Sequence, residues 1–293
     1  MIPIQEKLQA HGSPLIYDAA KGTNLALFVE KHGDPTDLLN LSNPEAVFNL
    51  HRQFVEAGAQ MLETNTFRAN AFTMGDKAFE LSRLGAQIAR SAAGDNVYVA
   101  GVMGPTAKLL KPNGPMTDVE CIAAFTPQVK GLLSQGNVDL IHIETMYDLP
   151  EILLGIQAVR AVNPDIPIMV TMTFEQQSPK GMRTMMGQRP SQLVTLADQN
   201  GLLAYGANCG KGLMGLEDIV NELREGHPDA VIVTKMNAGI PHLDIDTEQE
   251  VYPGTPADMA DYALKMRDLG VGIIGACCGN TPKHLEAIAG ALS

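Results

Sequence analysis

Eight short apolar runs, spaced along the whole chain, constrain the fold of this sequence more than any other feature. They begin near residues 14, 59, 97, 138, 166, 202, 231 and 271 and are rich in branched side chains. Such nearly continuous apolarity is typical of strands that are buried on both faces of a parallel sheet. Stretches with helical periodicity fill the gaps, and one of them starts with Asn43 as its N-cap and Pro44 at its first position.

Eight alternations of strand and helix predict a single α/β domain, a (β/α)8 TIM barrel, that spans residues 1–293. A chain of 293 residues has a common size for such a barrel, and no linker, low-complexity tract or break in composition divides it. The alternative is a doubly wound open sheet. That fold usually has fewer strands or a nucleotide-binding loop, and the sequence contains no such loop.

The charge balance and the amino terminus argue against several classes of function. With 21 basic and 33 acidic residues, the formal net charge is −12, which disfavours nucleic acid and a polybasic membrane contact. The first residues do not have the pattern of a signal peptide, and no apolar run approaches the ~20 residues that span a bilayer. We therefore expect a cytoplasmic protein with reduced cysteines, for which metal binding or catalysis is favoured over a disulfide framework.

Polar residues cluster where the apolar runs end. Because the carboxyl ends of all barrel strands converge on one face, where active sites lie, this clustering predicts a functional site there. The residues in question are Asp18, Thr64, Asn65, Thr66, Glu144, Thr145, Asn208, Cys209, Asn237, Cys277 and Cys278. His142 precedes Glu144 by two residues, so we expect it to be a hydrogen-bonded histidine inside the barrel.

Three of the four cysteines belong to this set, and they suit a metal ion. Cys209 ends the sixth predicted strand, and Cys277 and Cys278 end the eighth, between Gly275 and Gly279, which permit an irregular backbone. Three thiolates can hold Zn²⁺ and leave one tetrahedral position open, as in catalytic sites. Two alternatives remain open, namely ordinary buried cysteines and a redox pair at Cys277 and Cys278, although the pair leaves Cys209 without a role.

Seven short motifs give the chain a family resemblance. It resembles the homocysteine S-methyltransferase family, most closely the homocysteine-binding barrel of cobalamin-dependent methionine synthase. The motifs follow the order found in the family, across essentially the whole chain, and are "ETNTF", "VMGP", "VDLIHIET", "TMTF", "ANCG", "MNAGIP" and "IIGACCGNTPKH".

The resemblance implies a role for most of the clustered polar residues. Cys209, Cys277 and Cys278 would bind zinc, and zinc would bind the substrate thiol. Glu144 and Asp18 would hold the substrate ammonium, with the carboxylate on the backbone after strand 1, at Ala19 and Ala20. We also expect Asn65 and Asn237 at the substrate, and in related barrels the asparagine matching Asn237 can approach the metal. The family usually has glycine after the strand-1 aspartate and before the two adjacent cysteines, where this chain has Ala19 with Ala20 and Ala276. A thiol other than homocysteine is therefore an alternative acceptor.

These features predict a zinc-dependent S-methyltransferase that converts homocysteine to methionine. The thiolate is the attacking form of a thiol, and zinc favours its formation. The chain has no Trp and only six Tyr to hold a small onium donor, and it lacks the Asp-x-His-x-x-Gly cobalamin motif. We therefore expect the methyl group to come from a methyl-corrinoid on a separate protein. The alternatives are a small onium donor (betaine or S-methylmethionine), a different thiol acceptor, and a non-catalytic zinc-binding, thiol-binding or redox-sensing protein.

The loops after the third and fifth predicted strands are the longest of the chain. They contain several cations that could steer an acidic corrinoid protein onto the barrel mouth. These cations are Lys108, Lys111, Lys180, Arg183 and Arg189.

Overall fold

The computed structural model describes the whole chain except residues 11, 32, 180, 212 and 245–249. Within it, eight parallel strands form a barrel, and each coincides with one of the predicted apolar runs. The strands are β1 (Leu15–Ile16), β2 (Met61–Glu63), β3 (Tyr98–Met103), β4 (Leu140–Met146), β5 (Ile168–Met172), β6 (Ala204–Cys209), β7 (Ile232–Met236) and β8 (Ile273–Ala276). The predicted (β/α)8 fold is confirmed.

Neighbouring strands in the chain are neighbours in the barrel. Each strand from β2 to β8 pairs in parallel with the next, and β8 pairs with β1. The two ends of the sheet meet where Tyr17 bridges to Met61, and the backbone N–H of Asp18 donates to the carbonyl of Met61 at 3.0 Å. The polar residue Asp18 is thereby held at the rim of the barrel.

One long helix follows every strand and covers the outside of the barrel. These helices are α1 (Pro44–Glu56), α2 (Ala78–Ala93), α3 (Asp118–Leu133), α4 (Leu149–Val162), α5 (Pro190–Asn200), α6 (Leu216–Gly226), α7 (Pro256–Asp268) and α8 (Pro282–Leu292). Their starts agree with the sequence signals: the Asn43 side chain accepts from the Ala46 N–H, and Thr117 forms a capping box with Glu120. None of the helices in the described ranges is long and apolar enough to cross a membrane.

Shorter elements close the ends of the barrel. In the part of the chain that the structure describes, four short helices comprise Ile4–Gln9, Gly22–Leu25, Leu39–Ser42 and Ala71–Met74, and three 3₁₀ turns comprise Ala26–Phe28, Thr36–Leu38 and Gly75–Lys77. Two small hairpins pair Gln176–Ser178 with Gly181–Arg183 and His242–Leu243 with Glu250–Val251. The first helix packs Ile4 against an apolar layer inside the barrel that includes Leu15, Met61 and Ile273. This layer fills the amino-terminal end of the barrel, and polar side chains lie nearer the carboxyl ends.

Candidate metal and substrate site

Three thiols meet at the carboxyl ends of β6 and β8. The Sγ atom of Cys209 lies 2.6 Å from that of Cys277 and 3.9 Å from that of Cys278, and the last two sulfurs are 4.0 Å apart. Three thiolates at ~2.3 Å from one tetrahedral zinc would be about 3.8 Å apart. Two of the separations fit this geometry, and the third requires Cys209 and Cys277 to move apart by about 1 Å.

An unusual backbone at the end of β6 directs the Cys209 side chain. Cys209 has a φ of 58° and Gly210 a φ of 65°, both in the left-handed region. A non-glycine residue in this region is strained, and such strain clusters at functional sites.

Thr145 at the end of β4 also has a left-handed backbone, with a φ of 57°. Its N–H donates to the Oδ1 of Asn208 at 3.0 Å, while the Asn208 amide donates to the Thr145 hydroxyl at 2.6 Å and lies 3.8 Å from Cys277 Sγ.

The two adjacent cysteines follow the last regular residue of β8. The buried Asn280 amide donates to the carbonyl oxygens of Met236 and Cys277, both at 2.9 Å, and so braces this turn. Gly279 has a φ of 78°, and a Cβ on it would lie 2.2 Å from Tyr252 Cγ. The expectation of an irregular backbone therefore holds at Gly279. Gly275 instead lies within β8. Its missing Cβ allows close packing against Tyr17 and Asp18, which follow β1.

The charges of the three thiols favour a cation between them. Hydrogen bonds from Cys277 and Cys278, together with burial, raise the pKa of Cys209 well above its ordinary value. Hydrogen bonds from Cys209 and Cys277 hold the pKa of Cys278 well below its ordinary value. Neighbouring thiolates repel each other, so one thiol can ionise readily but all three need a divalent cation to do so together. The donor set of three sulfurs suits zinc.

Asn237 joins the two cysteine segments. Its amide donates to the carbonyl of Gly210 at 3.2 Å, and the next residue, Ala238, donates its N–H to the carbonyl of Cys278 at 2.9 Å. The Asn237 Oδ1 atom is buried and has no hydrogen-bond partner. An unsatisfied buried acceptor is costly and calls for an additional partner at this position, such as a metal or a ligand.

A cavity of about 520 Å³ adjoins the three thiols. Its wall is formed mainly by the segments that follow β1 and β2. Of the residues expected at the substrate, Ala20, Asn65 and Glu144 line it together with the three cysteines, whereas Asp18, Ala19 and Asn237 are not among its lining residues. The Asn65 amide is occupied by the Thr36 carbonyl at 2.8 Å, so Asn65 shapes the wall.

Five buried charged side chains form a network beside this cavity. The Lys235 ammonium contacts Glu63 and lies 2.7 Å from Glu144, and the Lys21 ammonium contacts Asp18 and lies 3.1 Å from Glu63. Asp18 is fully buried behind Lys21. Its Oδ2 atom contacts the Lys21 ammonium, and its Oδ1 atom accepts no hydrogen bond. Neither Lys21 nor Lys235 was among the residues predicted from the sequence. The signal available for Lys21 was a cation in the segment directly after β1.

The environments of these carboxylates push their pKa values apart. Burial and the charge of Glu63 raise the pKa of Glu144 to about 8. Burial alone would raise the pKa of Glu63, but the charges of Lys21 and Lys235 hold it at about 2. Burial raises the pKa of Asp18 to about 7 despite the opposing effect of Lys21. Glu63 is therefore the firmly ionised carboxylate of the network.

His142 lies inside the barrel, as expected, and is satisfied there. Its ring nitrogens form hydrogen bonds with the Tyr17 hydroxyl at 3.1 Å and the Thr171 hydroxyl at 2.9 Å. His142 is also close enough to Glu63 and Glu144 for the three to hold a metal. The Lys235 ammonium already contacts both carboxylates, however, and its positive charge repels a cation. The three thiols are the better metal site.

Two alanines that depart from the family pattern lie away from the cavity. Ala19 and Ala276 are fully buried and belong to the apolar core between the barrel and its helices. Their methyl groups therefore do not crowd the substrate cavity. Of the alanines after β1, only Ala20 adjoins it.

The fold and this site define a (β/α)8 barrel with a three-thiol candidate metal centre at the carboxyl ends of its strands. The chain belongs to the homocysteine S-methyltransferase family, whose model matches residues 15–292. Methionine synthase of Mycobacterium leprae (strain TN) is 29% identical over 274 residues, which are 88% of this chain and 22% of that protein. The chain thus spans about a fifth of the length of this relative.

Solved structures share the fold. The metallated form of the homocysteine methyltransferase MmuM from Escherichia coli superposes with a TM-score of 0.79 at 20% identity, covering 97% of this chain and 98% of MmuM. The apo form of MmuM superposes with a TM-score of 0.74 at 21% identity and covers 98% of both chains. At this level of identity, the similarity establishes the barrel architecture.

Proposed function

We propose that this protein is a zinc-dependent S-methyltransferase that transfers a methyl group to the thiol of homocysteine and forms methionine. The observation that carries the proposal is the meeting of Cys209, Cys277 and Cys278 beside a cavity whose wall holds buried charged side chains. The thiols suit a metal that binds sulfur, and the charged groups suit an amino acid. Membership of the homocysteine S-methyltransferase family supports the same activity.

The three cysteines would hold zinc and leave its fourth position for the acceptor sulfur. Bound zinc supplies Lewis acidity, which lowers the pKa of a coordinated thiol and favours the nucleophilic thiolate. The chain's own residues keep the ligands in place. Asn280 fixes the backbone carbonyl of Cys277, and the Asn208 amide points towards its sulfur. The buried Oδ1 of Asn237 has no hydrogen-bond partner, and it would approach the metal when no substrate is bound.

The acceptor would lie along the charged wall of the cavity. Glu144 lines the cavity and would take the acceptor ammonium, while Asp18 strengthens the negative potential from behind the wall. The carboxylate would bind at the segment after β1, at the backbone of Ala20, which lines the cavity in front of Ala19. Asn65 would hold the neighbouring wall in shape. Because transfer is an in-line displacement, the main requirement is accurate positioning of the sulfur.

We propose that the methyl group comes from a methyl-corrinoid carried by a separate protein. A small onium donor is often held by several aromatic rings, and Phe67 is the one aromatic residue among the described residues that line the cavity. Exposed apolar side chains occur on loops after four strands at the same end of the barrel, as in surfaces that bind partners. They are Leu27, Phe28, Met185, Leu213, Met214, Ile240, Leu243 and Val251.

The loop cations give less support to docking than these apolar residues. Arg189 pairs with Glu222 at 3.0 Å, Arg183 donates to the Gly187 carbonyl at 2.9 Å, and the Lys108 ammonium lies 3.7 Å from the centre of the Phe72 ring. Lys180 lies outside the described residues. Because three of the cations already have partners within the chain, we expect only a weak salt dependence of docking.

Supplying each donor separately tests this function. The zinc-loaded protein is incubated with homocysteine and methylcobalamin, betaine or S-methylmethionine, and methionine is measured by mass spectrometry. We expect methionine with methylcobalamin and none with the Cys209→Ala variant, while Cys121→Ala, which alters a cysteine buried in α3, retains activity. Turnover with an onium donor alone would contradict the corrinoid donor. Methylation of another thiol in preference to homocysteine would contradict the acceptor, and zinc binding without methylation of any thiol would indicate a binding protein.

A further inference from the structure

Lys21 places a buried ammonium in the wall of the cavity. Its side chain is 6% exposed and lines the cavity that adjoins the three thiols. The ammonium contacts Asp18, donates to the Ala19 carbonyl at 3.1 Å and lies 3.1 Å from Glu63. Two carboxylates and one backbone carbonyl thus surround the Lys21 ammonium.

The two lysines of the network differ in how freely they can exchange partners. Lys235 is 1% exposed, belongs to β7 and is not among the cavity-lining residues, so the barrel holds it in place. Lys21 lies after β1 and lines the cavity, and a lysine side chain is flexible. Lys21 is therefore the cation that a ligand in the cavity can displace from Glu63.

The balance of charge makes such an exchange useful. Three carboxylates, those of Asp18, Glu63 and Glu144, pair with the two ammonium groups of Lys21 and Lys235, so the network has one carboxylate more than it has ammonium groups. An incoming ammonium compensates this excess. An incoming carboxylate would be repelled, since a buried charge without a partner is strongly unfavourable. An amino-acid ligand therefore needs a cation that becomes available as its own ammonium binds.

We propose that Lys21 is a specificity-determining residue that exchanges partners when the acceptor binds. The acceptor ammonium binds between Glu144 and Glu63, where it takes the place of the Lys21 ammonium at Glu63. Lys21 then pairs with the acceptor carboxylate at the segment after β1 while keeping Asp18. Before binding, Lys21 substitutes for the acceptor ammonium. The site consequently selects a thiol that carries both an ammonium and a carboxylate. This inference rests on the proposed function, because it assumes that the ligand is a thiol bound beside the three cysteines.

The test compares acceptors that lack one charged group. Cobalt(II) replaces zinc in the wild type and in Lys21→Met, which has a similar length and no charge, and thiol binding is followed by the sulfur-to-cobalt absorption band. The ligands are homocysteine, 3-aminopropanethiol, which lacks the carboxylate, and 4-mercaptobutanoate, which lacks the ammonium. Lys130→Met, an exposed lysine of α3, is the matched control.

We expect wild-type protein to bind homocysteine about 10- to 100-fold more tightly than either truncated thiol, as for the loss of a hydrogen bond to a charged group. Lys21→Met should weaken homocysteine binding by a similar factor and change 3-aminopropanethiol binding less than about threefold, while Lys130→Met behaves as wild type. An equal loss for both ligands in Lys21→Met would assign Lys21 a purely structural role and overturn the proposal.

Measurements on the wild type alone keep the proposal falsifiable if Lys21→Met does not fold. Equal wild-type affinity for homocysteine and 3-aminopropanethiol would overturn the role of Lys21 and leave the S-methyltransferase function intact. Absence of any spectral response to the three thiols would instead overturn the proposed function itself, and the two failures are thereby distinguished.

Discussion

Lys235 on β7 reaches Glu144 on β4, with 2.7 Å between its Nζ atom and the Glu144 carboxylate. The same ammonium contacts Glu63 at the end of β2 and lies 4.2 Å from the centre of the Tyr17 ring. One cation thus joins three of the eight strands and Tyr17, the residue that follows β1. The carboxylate that we assign to the acceptor ammonium already has a positively charged neighbour, which holds it in position.

Removing Lys235 should destabilise the protein strongly. Lys235→Met leaves buried carboxylates without their partner, and breaking a buried ion pair from one side typically costs about 3–5 kcal/mol. Urea unfolding at pH 7 measures the loss. Lys265→Met, which breaks the exposed pair with Glu217, should cost less than about 1 kcal/mol. Equal effects of the two substitutions would show that the buried network contributes little.

The metal should depend on Cys209. Cys209→Ala removes one of three predicted ligands, so we expect most of the bound zinc to be lost, while far-UV circular dichroism stays close to that of the wild type. Inductively coupled plasma mass spectrometry measures the zinc content, with about one zinc per chain expected for the wild type. Cys121→Ala should retain full zinc, because Cys121 lies in α3 away from the other thiols. Full zinc content in Cys209→Ala would remove this residue from the site.

Gly279 should be needed for the metal as well as for folding. A Cβ on Gly279 would lie 2.2 Å from Tyr252 Cγ, so Gly279→Ala must shift the turn that contains Cys278. We expect reduced zinc affinity, measured by competition with a chelator. Gly136→Ala is the matched control, because Gly136 also has a positive φ (64°) but a Cβ there meets no atom within 4 Å. It should lower stability by about 1 kcal/mol and leave zinc binding unchanged.

Glu144 should control acceptor affinity without affecting the metal. Glu144→Gln keeps the shape of the side chain but cannot ionise when the acceptor ammonium binds beside it, so the KM for homocysteine should rise about 10- to 100-fold. The zinc content should stay at the wild-type value, and Glu45→Gln, at the start of α1, should leave KM unchanged. An unchanged KM in Glu144→Gln would assign the ammonium to another carboxylate.

Buried His51 should make the protein less stable in acid. Both ring nitrogens lack hydrogen-bond partners, and burial together with the charge of Lys21 lowers the pKa of His51 to about 3. The unfolded chain, with a histidine pKa of about 6.5, therefore binds a proton that the folded chain does not. Between these pH values, this difference lowers the free energy of unfolding by up to about 1.4 kcal/mol per unit as the pH falls.

His51→Leu removes this difference in proton binding. The free energy of unfolding of His51→Leu relative to wild type should be constant between pH 7 and 8 and should increase as the pH falls from 6.5 to 5. Urea unfolding at several pH values measures it. A relative stability that does not vary with pH would show that His51 is protonated equally in both states.

The sequence by itself determined the barrel and the location of the site. Strand and helix periods are local, and helix caps such as Asn43 act over a few residues, so both can be recognised without knowledge of the tertiary fold. Once the barrel was inferred, the carboxyl ends of β6 and β8 had to approach each other. The meeting of Cys209 with Cys277 followed from this topology.

Only the tertiary structure decided how the charged side chains are paired. Lys235 lies 91 residues from Glu144 and 172 from Glu63, and no sequence period relates them. Whether Asp18 faces the cavity or lies behind Lys21 depends on side-chain rotamers and on the space left by β2. Such partners are selected by the cost of burying an unpaired charge, which exists only after the barrel has closed and excluded water.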